Sequence, residues 1–128
     1  MYTILQKKRV RRIARSFLRE VGLPPNKAGF PLMVELISIV AEYPDKISPL
    51  APLMESCCKD LNIHYYYNTT FHRIKDAISI IYSRCSPEKL DEHFASCTDP
   101  KAGHMTVAEF IATAAAIVND RTIKVRDT

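Results

Sequence analysis

One stretch of this chain decides the fold: residues 68–85, which read NTTFHRIKDAISIIYSRC. Its apolar positions recur every three or four residues, which is the period of an α-helix buried along one side. These positions are Phe71, Ile74, Ala77, Ile78, Ile81 and Cys85. The cluster Asn68-Thr69-Thr70 directly before them consists of residues that commonly cap helix N-termini. The stretch therefore predicts an amphipathic helix with a polar solvent face.

The same period on both sides of this stretch predicts about six helices. Gly22 is expected to end the first helix, prolines mark most of the other turns, and Thr106 with Glu109 has the spacing of a capping box. The helices are expected at 1–21, from Pro31 to about Tyr43, from Ser48 through Cys58, at 68–85, from Ser86 through Phe94 and from Thr106 to about 119, with a short helix or turn at 63–67. One face of the second helix should enter the core, with Met33 at its edge. That face consists of Leu32, Leu36, Ile39 and Val40.

Length and composition favour a single helical domain. The chain has 128 residues, of which 47% are apolar and 25% charged, and this is enough to bury one core without disulfides or metals. Three glycines against eight prolines favour helices over a sheet protein with many glycine turns. No repeat or linker divides the sequence. We therefore expect one all-α domain over residues 1–128, with a frayed tail at 120–128.

Cysteine usage and hydropathy predict a cytoplasmic protein without cofactors. Cys57, Cys58, Cys85 and Cys97 lack the spacing of zinc ligands, so no metal is expected and the thiols should mostly fill the core. The N-terminus lacks the apolar run of a signal peptide, and the apolar-rich residues 30–41 are too few to span a bilayer. A membrane partner is accordingly not expected.

Short motifs carry a family resemblance across residues 15–120. They are Val21-Gly22-Leu23-Pro24, Gly29-Phe30, Glu35, Ile37, Asn68-Thr69-Thr70, Arg73, Ala77-Ile78, Ser83-Arg84 and Glu109-Phe110-Ile111-Ala112. In order and approximate spacing they resemble the DNA-binding effector domain of the stage-zero sporulation master regulator family of endospore-forming bacteria.

The resemblance implies a six-helix fold with a helix-turn-helix at 60–85. It implies a supporting helix near Asp60 to Tyr67, a recognition helix from Thr70 to Arg84, and a base contact by Arg73. It further implies regulation of sporulation and stationary-phase genes. The family's upstream receiver domain has no counterpart in this sequence. Because the initiating methionine and basic start favour a complete gene product, we expect a stand-alone bacterial transcription regulator that binds double-stranded DNA.

Residues within the recognition stretch motivate a different function. Lys75, Asp76, Ser79 and Ile80 differ in character from the charged or polar residues usual at these positions of the family. The alternative is a protein-interaction module of the same fold. Such a module would pair with a full-length regulator or with RNA polymerase and read little DNA itself.

Helical spacing identifies the candidate DNA-binding residues. With Phe71, Ile74 and Ile78 buried, the outward side chains lie in the first turns, the end that enters the major groove in helix-turn-helix proteins. They are His72, Arg73, Lys75, Asp76 and Ser79. Thr69, Thr70 and the free N–H groups of the helix start suit a phosphate. The competing interpretation is an ordinary solvated helix face.

A second basic region lies in the first twenty residues, where seven cations are opposed only by Glu20. They are Lys7, Lys8, Arg9, Arg11, Arg12, Arg15 and Arg19. We expect Lys8, Arg12 and Arg15 to add phosphate contacts to DNA. The alternatives are an anionic membrane surface and a solvated face on a core-packed helix.

Three remaining features concern the tyrosines, the partners and catalysis. Tyrosines this close to a turn are expected to pack one ring and to hydrogen-bond through the hydroxyl; the alternative for Tyr65, Tyr66 and Tyr67 is stacking on bases or contact with phosphates. Ala112, Ala115 and Ala116 have the spacing of a helix face, on which a homodimer on DNA would form if they do not enter the core. The sequence contains no Gly-rich phosphate loop, nucleophile elbow or paired carboxylate motif, so an enzyme is not expected.

Overall fold

The computed structural model describes residues 1–94 and 105–124, and this part of the chain forms six α-helices and no strand. They are α1 (Ile4–Glu20), α2 (Gly29–Glu42), α3 (Leu50–Asp60), α4 (Tyr67–Arg84), α5 (Pro87–Phe94) and α6 (Val107–Lys124), with a 3-10 helix at Pro44–Ile47 between α2 and α3. The prediction of a single all-α domain is confirmed.

Helix α2 forms the centre of the fold, because α1, α3, α4 and α6 all pack against it. Eleven of its 14 residues are buried, including Met33, Glu35 and Ser38. The expectation of a single core face with Met33 at its edge is therefore wrong. A helix that is apolar nearly all round is surrounded by the core, and only Glu35, Ser38 and Glu42 interrupt this composition.

Both ends of α1 are fixed by local hydrogen bonds. Thr3 and Gln6 form a capping box at the start. At the end Gly22 adopts a φ of 100°, which lets the Leu23 amide donate to the Leu18 carbonyl at 2.9 Å. This is a Schellman motif, for which glycine is favoured because it has no Cβ atom. The prediction that Gly22 ends the helix is confirmed.

The start of α3 differs from the sequence expectation. Ser48 makes no capping bond, the Ser48-Pro49 peptide is cis, and Pro49 is the N-cap residue rather than part of the first turn. The backbone of Pro49 is extended, with ψ at 146°, so the helix begins only at Leu50. The proline-led start of α5 is confirmed, because the Lys89 amide donates to Ser86 Oγ at 3.3 Å.

Helix α6 closes the core against α1 and α2. Thr106 caps the helix as predicted, since the Glu109 amide donates to Thr106 Oγ1 at 3.2 Å; the Glu109 carboxylate accepts from the Thr106 hydroxyl at 2.9 Å. The predicted frayed tail is wrong for residues 120–124, because α6 continues to Lys124 and Thr122 is fully buried with its hydroxyl donating to the Val118 carbonyl at 2.7 Å. Residues 125–128 lie outside the described part.

Aromatic rings join α1, α5 and α6 in the core. Phe94 and Phe110 are stacked with their centroids 4.7 Å apart, and Phe17 meets Phe94 edge-on at 6.3 Å. All three side chains are fully buried. None of the described helices combines the length and apolarity needed to cross a bilayer.

Candidate nucleic-acid interface

Helix α4 is held in place by α2, α3 and α6. Its inner side includes Ile74, Ala77 and Ile81, each at most 1% exposed. Gly29 at the start of α2 approaches this helix so closely that a Cβ atom there would lie 2.5 Å from the Arg73 carbonyl oxygen. The backbone of α4 is therefore anchored beneath its solvent face.

The solvent face of α4 carries all but one of the residues expected there. Thr69, His72, Arg73, Lys75, Asp76 and Ser79 are exposed and line one shallow depression. We call these six residues the α4 face. Within the described part of the chain, their side chains form no hydrogen bond or ion pair with the protein; Lys75 Nζ lies 5.8 Å from the centroid of the Phe71 ring. These polar groups are free to bond a ligand.

Thr70 is a correction to the expected site. It is 2% exposed, and its hydroxyl lies 3.7 Å from Cys58 Sγ of α3. Helix α4 begins at Tyr67 with Tyr66 as a N-cap that offers no side-chain bond, so Asn68-Thr69-Thr70 lies inside the first turns and is not a cap. Thr70 is four residues before Ile74, which places both on the inner side of the helix. It cannot contact a phosphate from this position.

The connection between α3 and α4 differs from the expected supporting helix. Residues 61–66 are not helical, so the helix that precedes α4 is α3 at Leu50–Asp60 and not a helix near Asp60 to Tyr67. Asn62 has a φ of 57°, and the Ile63 amide donates to the Cys58 carbonyl at 2.9 Å. Asparagine is one of the few residues that tolerate this left-handed conformation, so it can end α3 where glycine is absent.

Exposed aromatic rings lie at the start of α4. Tyr66 is 66% exposed and Tyr67 49%, whereas Tyr65 is partly buried against the core. Burial raises the pKa of Tyr65. One of the three rings therefore packs, that of Tyr65, whereas Tyr66 and Tyr67 are exposed; the ring of Tyr67 stacks on that of Phe71, with the two centroids 5.7 Å apart.

The basic residues of α1 form a separate surface. Lys8, Arg12 and Arg15 are exposed, and so is Arg19, which sequence reasoning counted in the basic run but did not assign to a site. We call these four residues the α1 stripe. In the part of the chain that the structure describes, none of them makes an ion pair. Arg11 differs, because its guanidinium binds both carboxylate oxygens of Glu35, at 2.9 and 3.1 Å.

The α1 stripe and the α4 face lie on different sides of α2. Helix α1 contacts α2 through Glu35, and α4 contacts α2 at Gly29. Glu35 comes six residues after Gly29, so the two residues lie about 120° apart around the axis of α2. The structure thus brings together the expected residues of α4 but does not bring Lys8, Arg12 and Arg15 to them.

The alanines of α6 divide between core and surface. Ala115 is 2% exposed, whereas Ala112 and Ala116 are exposed beside Val40 and Pro44. Ala115 is therefore not available for a partner helix. Only Ala112 and Ala116 remain for the expected homodimer contact.

The described cysteines are packing residues. Cys57, Cys58 and Cys85 are free thiols and buried, and Cys97 lies outside the described residues. Burial raises the pKa of Cys57 to about 12, and the nearby carboxylates of Glu35 and Asp60 add to this. Across residues 1–94 and 105–124, no three metal-binding side chains come together.

Comparison with known proteins adds no relative to this description. No protein-family model matches the chain, and neither the curated proteins nor the solved structures include one with significant similarity to it.

Proposed function

We propose that this protein binds double-stranded DNA and that the α4 face reads base edges in the major groove. The α4 face is the observation that carries the proposal. Its six side chains are exposed, and their polar groups make no hydrogen bond or ion pair with the described protein. Arginine and histidine donate hydrogen bonds to base edges, serine and threonine bond either bases or phosphates, and aspartate accepts from cytosine.

Helices α3 and α4 would form the helix-turn-helix of this proposal. The two helices pack together, and Thr70 and Cys58 meet at their contact. Their six-residue connection is longer than the three or four residues usual in this motif. Four of the six residues, Thr69, His72, Arg73 and Lys75, lie in the first half of α4, which is the half that a recognition helix inserts into the groove.

Charge and resemblance add support for DNA over other ligands. The chain carries a formal net charge of +4, which favours association with a polyanion. The motifs that resemble the sporulation regulator's effector domain include Arg73, which that resemblance assigns to a base contact. Transcription regulation is the biological role that follows if the duplex is read specifically.

Selection from a randomised duplex library tests the proposal. We expect one enriched sequence, bound at least about 10³-fold more tightly than a scrambled duplex at physiological salt. Affinity for both should fall steeply with salt, because binding to phosphates releases counterions. Fluorescence anisotropy on the enriched and scrambled duplexes measures both quantities.

A matched pair of variants locates the binding surface. Ser79→Glu places a negative charge at the C-terminal end of the α4 face, and it should weaken binding about tenfold or more through repulsion of the phosphates. Ser56→Glu adds the same charge at an exposed position of α3 that lies beside Ile39 and Pro52, so its affinity should stay close to that of the wild type. A library without enrichment, or equal losses in the two variants, would contradict the proposal.

A further inference from the structure

The α1 stripe is a regular row of cations that make no ion pair within residues 1–94 and 105–124. Lys8, Arg12, Arg15 and Arg19 are spaced by four, three and four residues, so they follow one side of the helix. All four are exposed. With a rise of 1.5 Å per residue, the row is roughly 16 Å long. Its spacing and charge fit a linear polyanion.

The row lies on a different helix from the α4 face and on a different side of α2. Helix α1 packs on α2 and α6, whereas α4 packs on α2, α3 and α6. The Glu35 side of α2 faces α1 and the Gly29 side faces α4. The outward faces of α1 and α4 therefore point away from the domain in different directions. A duplex on the α4 face therefore leaves the α1 stripe open to a second molecule or to a distant part of the same one.

The chemistry of the row favours nucleic acid over a lipid surface. A helix that lies in a membrane interface inserts an apolar face along its length. The apolar face of α1 is already inside the protein, because Val10, Ala14 and Phe17 are at most 1% exposed. Exposed apolar side chains on α1 are confined to its first turn, at Ile4 and Leu5. Three of the four cations are arginines, whose guanidinium groups bind phosphate oxygens in pairs.

We propose that the α1 stripe binds the phosphate backbone of a second DNA segment, so that one molecule bridges two duplexes. This inference rests on the proposed function of the α4 face. Contact through phosphates alone carries no sequence information. The second segment would thus be bound without sequence preference, and bridging would be more sensitive to salt than binding of the first duplex.

A two-duplex capture experiment tests the bridge. A biotinylated duplex of the selected sequence is fixed on beads, the full protein is added, and retention of a fluorescent duplex of unrelated sequence is measured. Direct anisotropy with the selected duplex is run in parallel. We expect the wild type to retain the second duplex. Lys8→Gln/Arg12→Gln/Arg15→Gln should reduce this retention about tenfold or more but change affinity for the selected duplex about twofold or less.

The control variant removes three exposed lysines from other elements. Lys46→Gln/Lys59→Gln/Lys124→Gln has the same net charge as the α1 variant and should retain the second duplex like the wild type. Circular dichroism on both variants verifies that the helices are intact.

Each other outcome overturns the bridge. If the wild type binds the selected duplex but retains no second one, the inference fails and the proposed function stands. Retention that survives in the α1 variant would assign bridging to protein dimers. If the α1 stripe instead confers binding to phosphatidylglycerol vesicles without retention of DNA, its ligand is a membrane. A wild type that binds no duplex in the direct measurement would overturn the proposed function and the bridge together.

Discussion

Gly29 lies against Arg73 with no space for a side chain, because a Cβ atom at residue 29 would be 2.5 Å from the Arg73 carbonyl oxygen. Gly29→Ala should therefore force α2 and α4 apart. Helix propensity favours alanine over glycine by about 1 kcal/mol, but overpacking against backbone costs about 1–3 kcal/mol. We expect a net loss of stability in urea unfolding, together with weaker binding of the selected duplex.

The neighbouring residue supplies the control for Gly29→Ala. Ala28 is exposed and is the N-cap of α2. Ala28 has helical backbone angles, with φ at −58° and ψ at −33°, rather than the extended backbone of a capping residue. Ala28→Ser should therefore form no cap and change stability by about 0.5 kcal/mol or less. Unchanged stability of Gly29→Ala would show that α4 can shift without cost.

The period of the apolar residues predicts the helices, but it does not predict features that depend on contacts between helices. The helical phase of Ile74 and Ala77 placed His72, Arg73 and Asp76 outside correctly. The same phase, extended back four residues from Ile74, would have placed Thr70 inside. The cluster Asn68-Thr69-Thr70 instead predicts a helix cap by its composition, because asparagine and threonine are common at helix N-caps.

Two other features depend on neighbours that the sequence does not reveal. The burial of α2 on all sides follows from its four packing partners, although a helix with so few polar residues already points to this arrangement. The close approach of Gly29 to Arg73 involves residues that are 44 positions apart and had no local signal. The separation of the α1 stripe from the α4 face likewise depends on how α1 and α4 are arranged around α2.

We expect Arg11 and Glu35 to stabilise the fold only when both residues are present. Glu35 has a side chain that is 12% exposed, whereas that of Arg11 is 39% exposed. Arg11→Met leaves a largely buried carboxylate without its partner and should cost about 2–3 kcal/mol. The double variant Arg11→Met/Glu35→Leu should recover most of this loss. Urea unfolding of the two single variants and the double variant gives the coupling energy, and additive losses would contradict the prediction.

Stability should decrease above pH 9 in part because of Cys57. Its pKa is about 12 in the folded protein, against 9.0 for an unperturbed thiol, because burial disfavours the thiolate. Between these values the unfolded chain has lost the proton and the folded chain keeps it. Rising pH therefore favours unfolding, by up to about 1.4 kcal/mol per pH unit from this residue.

Urea unfolding between pH 8 and 10 measures the contribution of Cys57. Cys57→Ala should lose stability at pH 8, because it leaves a small cavity, but its pH dependence above 9 should be shallower than that of the wild type. Ser38→Ala is the control, since it also changes a buried side chain in the core but removes no group that titrates in this pH range. Its curve should run parallel to that of the wild type. Parallel curves for all three proteins would exclude Cys57 as a source of the slope.

Arg73 is expected to read a base because its backbone is fixed while its side chain is free. Gly29 holds the main chain of α4 at this residue, and the side chain is exposed. A guanidinium placed in this way can bond a guanine edge through two hydrogen atoms. Arg73→Ala should cost about 1–3 kcal/mol on the selected duplex and relax the preference at one base pair, with little effect on scrambled DNA.

Two further variants separate base recognition from charge at Arg73. Lys46→Ala removes one exposed positive charge from the 3-10 helix, so it should weaken both duplexes slightly and equally. Arg73→Lys keeps the charge but loses the paired donors, because an ammonium group is a point charge and not a planar fork. If Arg73 reads a base, Arg73→Lys should resemble Arg73→Ala in specificity. If it contacts a phosphate, Arg73→Lys should bind like the wild type, and the ratio of selected to scrambled affinity should stay the same in all three variants.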